Sequence, residues 1–271
     1  MESIWNVIFA RRVGVHIYGL GAVVLGLTGL VWGDFAVVWI PSWIHALGQS
    51  KWGYAVSIIP LLAGLAMQWQ RSVFPGALAL FAGYCLAAIF LDVPRGFAHP
   101  SMYVAWYGLF ENLALAVGAL IICTYYARLE PKTIERLGKI GRVIFGACLI
   151  YYGLAHHFYL ANTVSMVPAW LPPSQTFWAY ATGAGHVAAG VAIIFGVYAR
   201  LAAILLAAMF IIFAILVHAP RIIMDSHTHM SWAENAVNLA LIGAAWVIAD
   251  SSMPTRNKST RPAELCSDRA I

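Results

Sequence analysis

Apolar residues along this chain fall into blocks near twenty residues long, separated by short polar breaks, with no sustained alternation of period two. The blocks lie at about 13–32, 52–70, 74–91, 103–126, 141–160, 176–197, 200–218 and 234–250. A helix needs roughly 20 such residues to cross a hydrocarbon core of about 30 Å. The pattern therefore predicts an all-α polytopic membrane protein with eight transmembrane helices. The first block, after MESIWNVIFARR, has the look of a signal peptide, but its counterpart recurs later in the chain and it is kept as a span.

That recurrence is systematic. At an offset of 127, Gly14, Gly19, Gly26, Leu27, Pro41 and Trp43 fall on Gly141, Gly146, Gly153, Leu154, Pro168 and Trp170. At an offset of 126, Trp52, Tyr54, Ala63 and Gly64 fall on Trp178, Tyr180, Ala189 and Gly190, and Pro94, Arg95, Trp106 and Asn112 fall on Pro220, Arg221, Trp232 and Asn238. One single-residue shift over so long a stretch points to a tandem duplication. The expected organisation is a four-helix repeat at 1–126, a linker at 127–139, a second four-helix repeat at 140–250 and a disordered tail at 251–271. An even number of spans per repeat inserts both halves in the same orientation, related by an approximate two-fold axis along the membrane normal.

Composition agrees with a lipid solvent. Of 271 residues 62% are hydrophobic and 10% charged, with mean hydropathy +0.78, against roughly 45–50% and roughly 25% in soluble domains. A secreted disulfide scaffold, a nucleic-acid-binding domain and a soluble enzyme of ordinary composition are excluded. The four cysteines form no CxxC pair and read as packing residues. With eight spans, thirteen of the sixteen Lys and Arg fall on the side of the termini and three, Lys51, Arg95 and Arg221, on the other. The positive-inside rule makes both termini cytoplasmic.

Seven of the nine histidines then fall at or near the outer face, and the halves differ where it matters chemically. Gly29, Leu30, Pro60 and Asp92 correspond to His156, His157, His186 and His218. His186 lies about ten residues inside the sixth span, roughly 15 Å deep. An ionisable group at that depth marks a functional site or a buried hydrogen-bond partner. Glu111, inside the fourth span, is a second intramembrane candidate. His186 and Glu111 are the expected catalytic pair, with His156, His218, Tyr180 and Trp178 as expected cofactor-binding residues around a pocket open to the outer leaflet. Asp92 and His218 could form an ion pair or proton relay, or stand as unrelated helix-end groups. His227 and His229, with Asp225 or Glu234, could hold a divalent cation, but HxH in an exposed loop is a weak pattern and no metal set is assigned. Bis-histidine haem would need His156 and His218, because His186 lies about 9 Å deeper than His156 at helical rise. Haem is expected less than a quinone.

GLAHHF (153–158), VPAWLPPSQTFWAYATGAGHVAAGVAI, ARLAAILLAAMF (199–210), LVHAPR and SWAENAVNLALIGAAWVIA resemble the DoxX-like family of bacterial inner-membrane proteins, and ENLALAVGAL (111–120) is similar to a single-unit member. The resemblance covers about 140–250, with 13–126 as a more diverged copy. It implies a doubled four-helix unit and a link to DoxD-type subunits of thiosulfate:quinone oxidoreductase. The leading expectation is a membrane subunit of a quinone-linked redox system, working with a redox partner subunit. The alternatives are a carrier or binding protein for a small apolar molecule, and a non-catalytic scaffold subunit.

Overall fold

The computed structural model describes residues 2–34 and 49–252, with side chains from Arg12 to Asp34 and from Lys51 to Ser252. Pro41, Trp43, His45, Cys266 and nearly all of the expected tail lie outside the described residues. Within them the chain runs through α1 (Glu2–Trp32), α2 (Gln49–Ala66), α3 (Val73–Ala87), a π-helical turn (Ala88–Asp92), α4 (Val93–Ala98), α5 (Tyr103–Tyr126), α6 (Pro131–Phe158), α7 (Leu160–Met166), α8 (Gln175–Phe195), α9 (Ala199–Phe213), a second π-helical turn (Ala214–His218), α10 (Ala219–Met224) and α11 (His229–Ser251). Seven helical stretches are long and apolar enough to cross a membrane: Arg12–Trp32, Val73–Ala98, Tyr103–Tyr126, Pro131–Phe158, Gln175–Phe195, Ala199–Met224 and His229–Ser251. The remaining expected span is a shorter apolar helix, Lys51–Ala66.

The differences from the expected boundaries have local causes. The second span stops at Ala66 instead of 70 because Ser72 Oγ donates to the Ala66 carbonyl at 2.7 Å and closes a turn through the polar Gln68, Gln70 and Arg71. The last span begins at His229 instead of 234, where His229 and Ser231 are buried against protein and need no apolar character. Each π-helical turn lies just before a proline, Pro94 or Pro220. Proline lacks an amide hydrogen and its ring crowds the carbonyl four residues back, and a widened turn relieves both.

Counting α3 with α4 and α9 with α10, the helices close into a ring. α1 packs on α2 and α11; α2 packs on α3, and α3 on α5; α5 packs on α6, α6 on α8, α8 on α9 and α9 on α11. α5 also meets α11 across the middle. Small residues permit the α1–α11 seam, as in other lipid-embedded helix pairs, where close backbone approach replaces the hydrophobic drive. A Cβ added at Gly21 would stand 2.4 Å from the Ala240 amide nitrogen, and one at Gly243 would stand 2.4 Å from that of Tyr18. Buried hydroxyls tie the same elements together: Tyr18 donates to Leu115 O at 2.6 Å and Tyr125 to Val247 O at 2.9 Å.

Candidate functional site

His186 sits on α8 and is 2% exposed. α6 and α8 run antiparallel in a fixed register, because a Cβ at Gly153 would meet the Gly183 carbonyl at 2.5 Å and one at Gly146 would meet that of Gly190 at 2.6 Å. In this register the backbones of His156 and His186 differ in depth by about six residues, or roughly 9 Å. Side chains on a helix lean toward its N-terminus, and these two N-termini point in opposite directions. The imidazoles therefore lean toward one another, and their centroids are 5.1 Å apart. The expectation that depth would separate them is corrected by the direction of the side chains.

Both rings are oriented by backbone. His186 Nδ1 donates to Thr182 O at 2.9 Å and His156 Nδ1 to Ala179 O at 3.1 Å. Thr182 Oγ1 lies 3.0 Å from the His156 nitrogen and donates its own proton to Trp178 O at 2.7 Å. A neutral imidazole with its proton on Nδ1 leaves Nε2 as an acceptor. The cluster thus presents two acceptor nitrogens within aromatic walls, with Tyr152, Phe210 and Phe213 at 6.2, 5.6 and 6.0 Å from the His186 ring. Tyr152 Oη is buried with no hydrogen-bond partner among the described residues. Its polarity was hidden in the sequence by the apolar run CLIYYGLA, which gave no sign that one of two adjacent tyrosines points inward.

A second polar group lies at the α3–α5 and α9–α11 contacts. Asp92, 2% exposed at the end of the first π-helical turn, binds Arg95 Nη2 at 2.5 Å and receives Asn112 Nδ2 at 2.7 Å. Arg95 Nε donates to Ala105 O at 3.0 Å, so the buried pair has most of its hydrogen-bonding capacity used. In the other half Arg221 pairs at 2.5 Å with Glu234. Glu234 stands 126 positions after Gly108, where an added Cβ would lie 2.2 Å from Arg95 Nη2 and 2.4 Å from Asp92 Oδ1. Arg95 and Arg221 each pair with a carboxylate, supplied by Asp92 three residues earlier in the first case and by Glu234 on α11 in the second. Glu111 is half-buried on α5, within electrostatic reach of Asp92, Glu234, Tyr84, Tyr107 and Tyr152. Tyr84 Oη is also buried without a hydrogen-bond partner.

Residues 139–219 match the DoxX family model. This segment is similar to a DoxX domain. No curated protein and no solved structure matches the chain. The domain supplies α6 to α9, and with them His156, Thr182, His186, Phe210, Phe213 and His218. Glu111 and Glu234 reach its edge from helices outside the matched residues.

The other expected site residues are dispersed. Tyr180 is 45% exposed and packs on His157 at 6.1 Å, away from His186. Trp178 Nε1 is taken by Pro172 O at 2.8 Å, near the start of α8. The same device recurs at Trp106 with Pro100 O (3.3 Å) and Trp232 with Ser226 O (3.0 Å), which marks it as a helix-entry clamp. His218 Nδ1 is buried without a hydrogen-bond partner, and Arg221 is its charged neighbour. Asp92 and His218 hold equivalent π-helical turns, and each answers to the arginine of its own half. The HxH segment separates: His229 is paired with Asp34 and stacks on Trp32, Asp225 accepts from Thr228, and Glu234 holds Arg221. Among the described residues no group of three or more His, Cys, Asp or Glu side chains is placed to hold a metal. His186 is closed over by its aromatic neighbours instead of lining an open pocket, and His156 is the half-buried member of the pair.

Proposed function

We propose that this chain is a bacterial inner-membrane subunit of a quinone-linked redox system, in which a quinone headgroup docks against His156 with His186 behind it. The observation that carries this reading is the pair of backbone-oriented imidazoles, with centroids 5.1 Å apart, beside an unpartnered Tyr152 hydroxyl. Reduction of a quinone to its quinol takes two electrons and two protons. A redox partner subunit supplies the electrons. Tyr152 is a donor suited to a quinone carbonyl, while the Nε2 atoms accept from quinol hydroxyls. His186 thus acts as an acceptor, because Thr182 O occupies its proton-bearing nitrogen. Glu111, in electrostatic contact with Tyr152, is the carboxylate through which protons exchange with the outer polar cluster.

The test is a photoreactive quinone analogue applied to the purified full chain, alongside organic extraction of bound quinone. His186→Ala and Tyr152→Phe should each reduce labelling at least tenfold while the protein stays monodisperse. Labelling by neither protein nor variants, with a different apolar molecule in the extract, supports the carrier reading instead. A loss of thermal stability in His186→Ala with labelling unchanged makes the histidine a packing residue.

The same proposal includes a tandem duplication with both termini cytoplasmic. Matching contacts support it: Gly19 and Gly146 approach Gly64 O and Gly190 O, and Gly26 and Gly153 approach the amides of Leu61 and Val187, each at the sequence offset of the repeat. The thirteen-to-three division of Lys and Arg supports the orientation. In a cysteine-free background of intact cells with a permeabilised outer membrane, cysteines at Ser101 and Ser174 should react with an impermeant thiol reagent, and one at Thr133 should stay unlabelled. Labelling at Thr133 alone reverses the orientation.

A further inference from the structure

Just past the end of α8, ten residues beyond His186, lies a groove of about 440 Å³ lined by Arg142, Gly196, Ala199, Arg200, Leu201, Ile204 and Ser252. The equivalent place in the first half retains only about 70 Å³, between Arg12, Val15, His16, Gln68, Gln70, Val73 and Tyr126. Val15, Gln70, Val73 and Tyr126 precede Arg142, Gly196, Ala199 and Ser252 by 126 or 127 positions, so the two sites correspond. In the first half side chains fill the space and satisfy one another: Arg12 donates to Gln70 at 2.7 Å and His16 pairs with Gln68 at 3.1 Å. In the second half Gly196 stands where Gln70 would be, and two guanidiniums face the opened groove.

Those guanidiniums make no ion pair or hydrogen bond among the described residues. The acids on the lining helices are Glu135, already paired with Lys139 at 2.8 Å, Asp250, buried within α11, and Glu234, held by Arg221 near the start of α11. The sequence after Ser252 carries four basic and two acidic residues, so it brings no net negative charge. The wall of the groove turns apolar along α9, through Leu201 and Ile204, and Phe195 and Val197 beside it are 75% and 58% exposed. An occupant matching this surface carries an anionic phosphate at one end and hydrocarbon at the other.

We infer that this groove is a binding site for the headgroup of an anionic phospholipid, held by Arg142 and Arg200 with an acyl chain along Leu201 and Ile204. Basic pockets between helices at a helix-end interface suit this chemistry, because a guanidinium binds phosphate oxygens through a planar fork of donors. The site is independent of the quinone reading, as it shares no residue with His156 and His186.

The experiment is native mass spectrometry of the full chain released from detergent, titrated with phosphatidylglycerol, phosphatidylcholine or inorganic phosphate. Phosphatidylglycerol should bind at least tenfold tighter than phosphatidylcholine, and Arg142→Gln/Arg200→Gln should abolish that preference. Arg142→Lys/Arg200→Lys should retain part of it. Ile204→Trp fills the groove with both charges intact and should also remove the preference, which keeps the test decisive if the double Gln variant does not fold. Equal binding of both lipids, an unchanged preference in the folded double Gln variant or in Ile204→Trp, or phosphate displacing phosphatidylglycerol completely would overturn the inference, the last by making the ligand a soluble anion.

Discussion

Asp92→Ala should lower the unfolding free energy of the detergent-solubilised protein by about 3–5 kcal/mol, the range for removing one partner of a buried ion pair. The size follows from burial: the Asp92 and Arg95 side chains are 2% and 8% exposed, so Arg95 is left charged away from water with only Ala105 O as acceptor. Glu234→Ala, which breaks the pair at side chains about one third exposed, should cost about 1 kcal/mol or less. Gly108→Glu alone should also destabilise, since its Cβ would meet both Arg95 and Asp92 and two carboxylates would compete for one arginine. Asp92→His with Gly108→Glu installs in the first half the arrangement of the second. It should recover at least half of the loss caused by Asp92→Ala. A double variant as unstable as the sum of its single changes would deny that the two clusters are interchangeable.

The spans were legible because a bilayer demands long apolar runs, and that demand does not depend on partners. The exceptions are places where protein substitutes for lipid. Helix α11 starts five residues early because His229 and Ser231 face other helices. Periodicity placed His186 well inside an apolar helix, yet depth alone separated it from His156. Two residues roughly 9 Å apart along antiparallel axes meet when each side chain leans toward its own N-terminus, and only the helix register, set by Gly153 against Gly183, reveals which pair will do so. Tyr180 and Trp178 lie close to His186 in sequence, but their position around α8 turns them to the outside and to the helix entry. Tyr152, Phe210 and Phe213 were missed for the converse reason: aromatic residues in apolar helices carry no sequence mark that distinguishes a site wall from ordinary packing. The swap of Asp92 and Gly108 for His218 and Glu234 was half visible, since the offset named Asp92 and His218 but not the carboxylate that replaces the missing one.

Gly243→Leu should destabilise the protein by more than the roughly 1–3 kcal/mol typical of an overpacked core. A flexible side chain could move aside, but the first atoms a Cβ at Gly243 meets are the amide nitrogen and Cα of Tyr18, at 2.4 and 2.6 Å. Relief requires α1 and α11 to separate, and that separation also pulls the Tyr18 hydroxyl from Leu115 O, linking the damage to α5. Because α1 with α11 and α5 with α6 are the outer contacts between the two halves, the expected phenotype is loss of the folded monomer on size-exclusion chromatography, not a local shift in melting. Gly83→Ala is the matched control. Its Cβ meets nothing closer than 3.7 Å, so the gain in helix propensity, about 0.5–1 kcal/mol, should appear as unchanged or raised stability. If Gly243→Leu melts like Gly83→Ala, the halves are not held together by backbone contact at this crossing, and the seam between α1 and α11 has been assigned the wrong role.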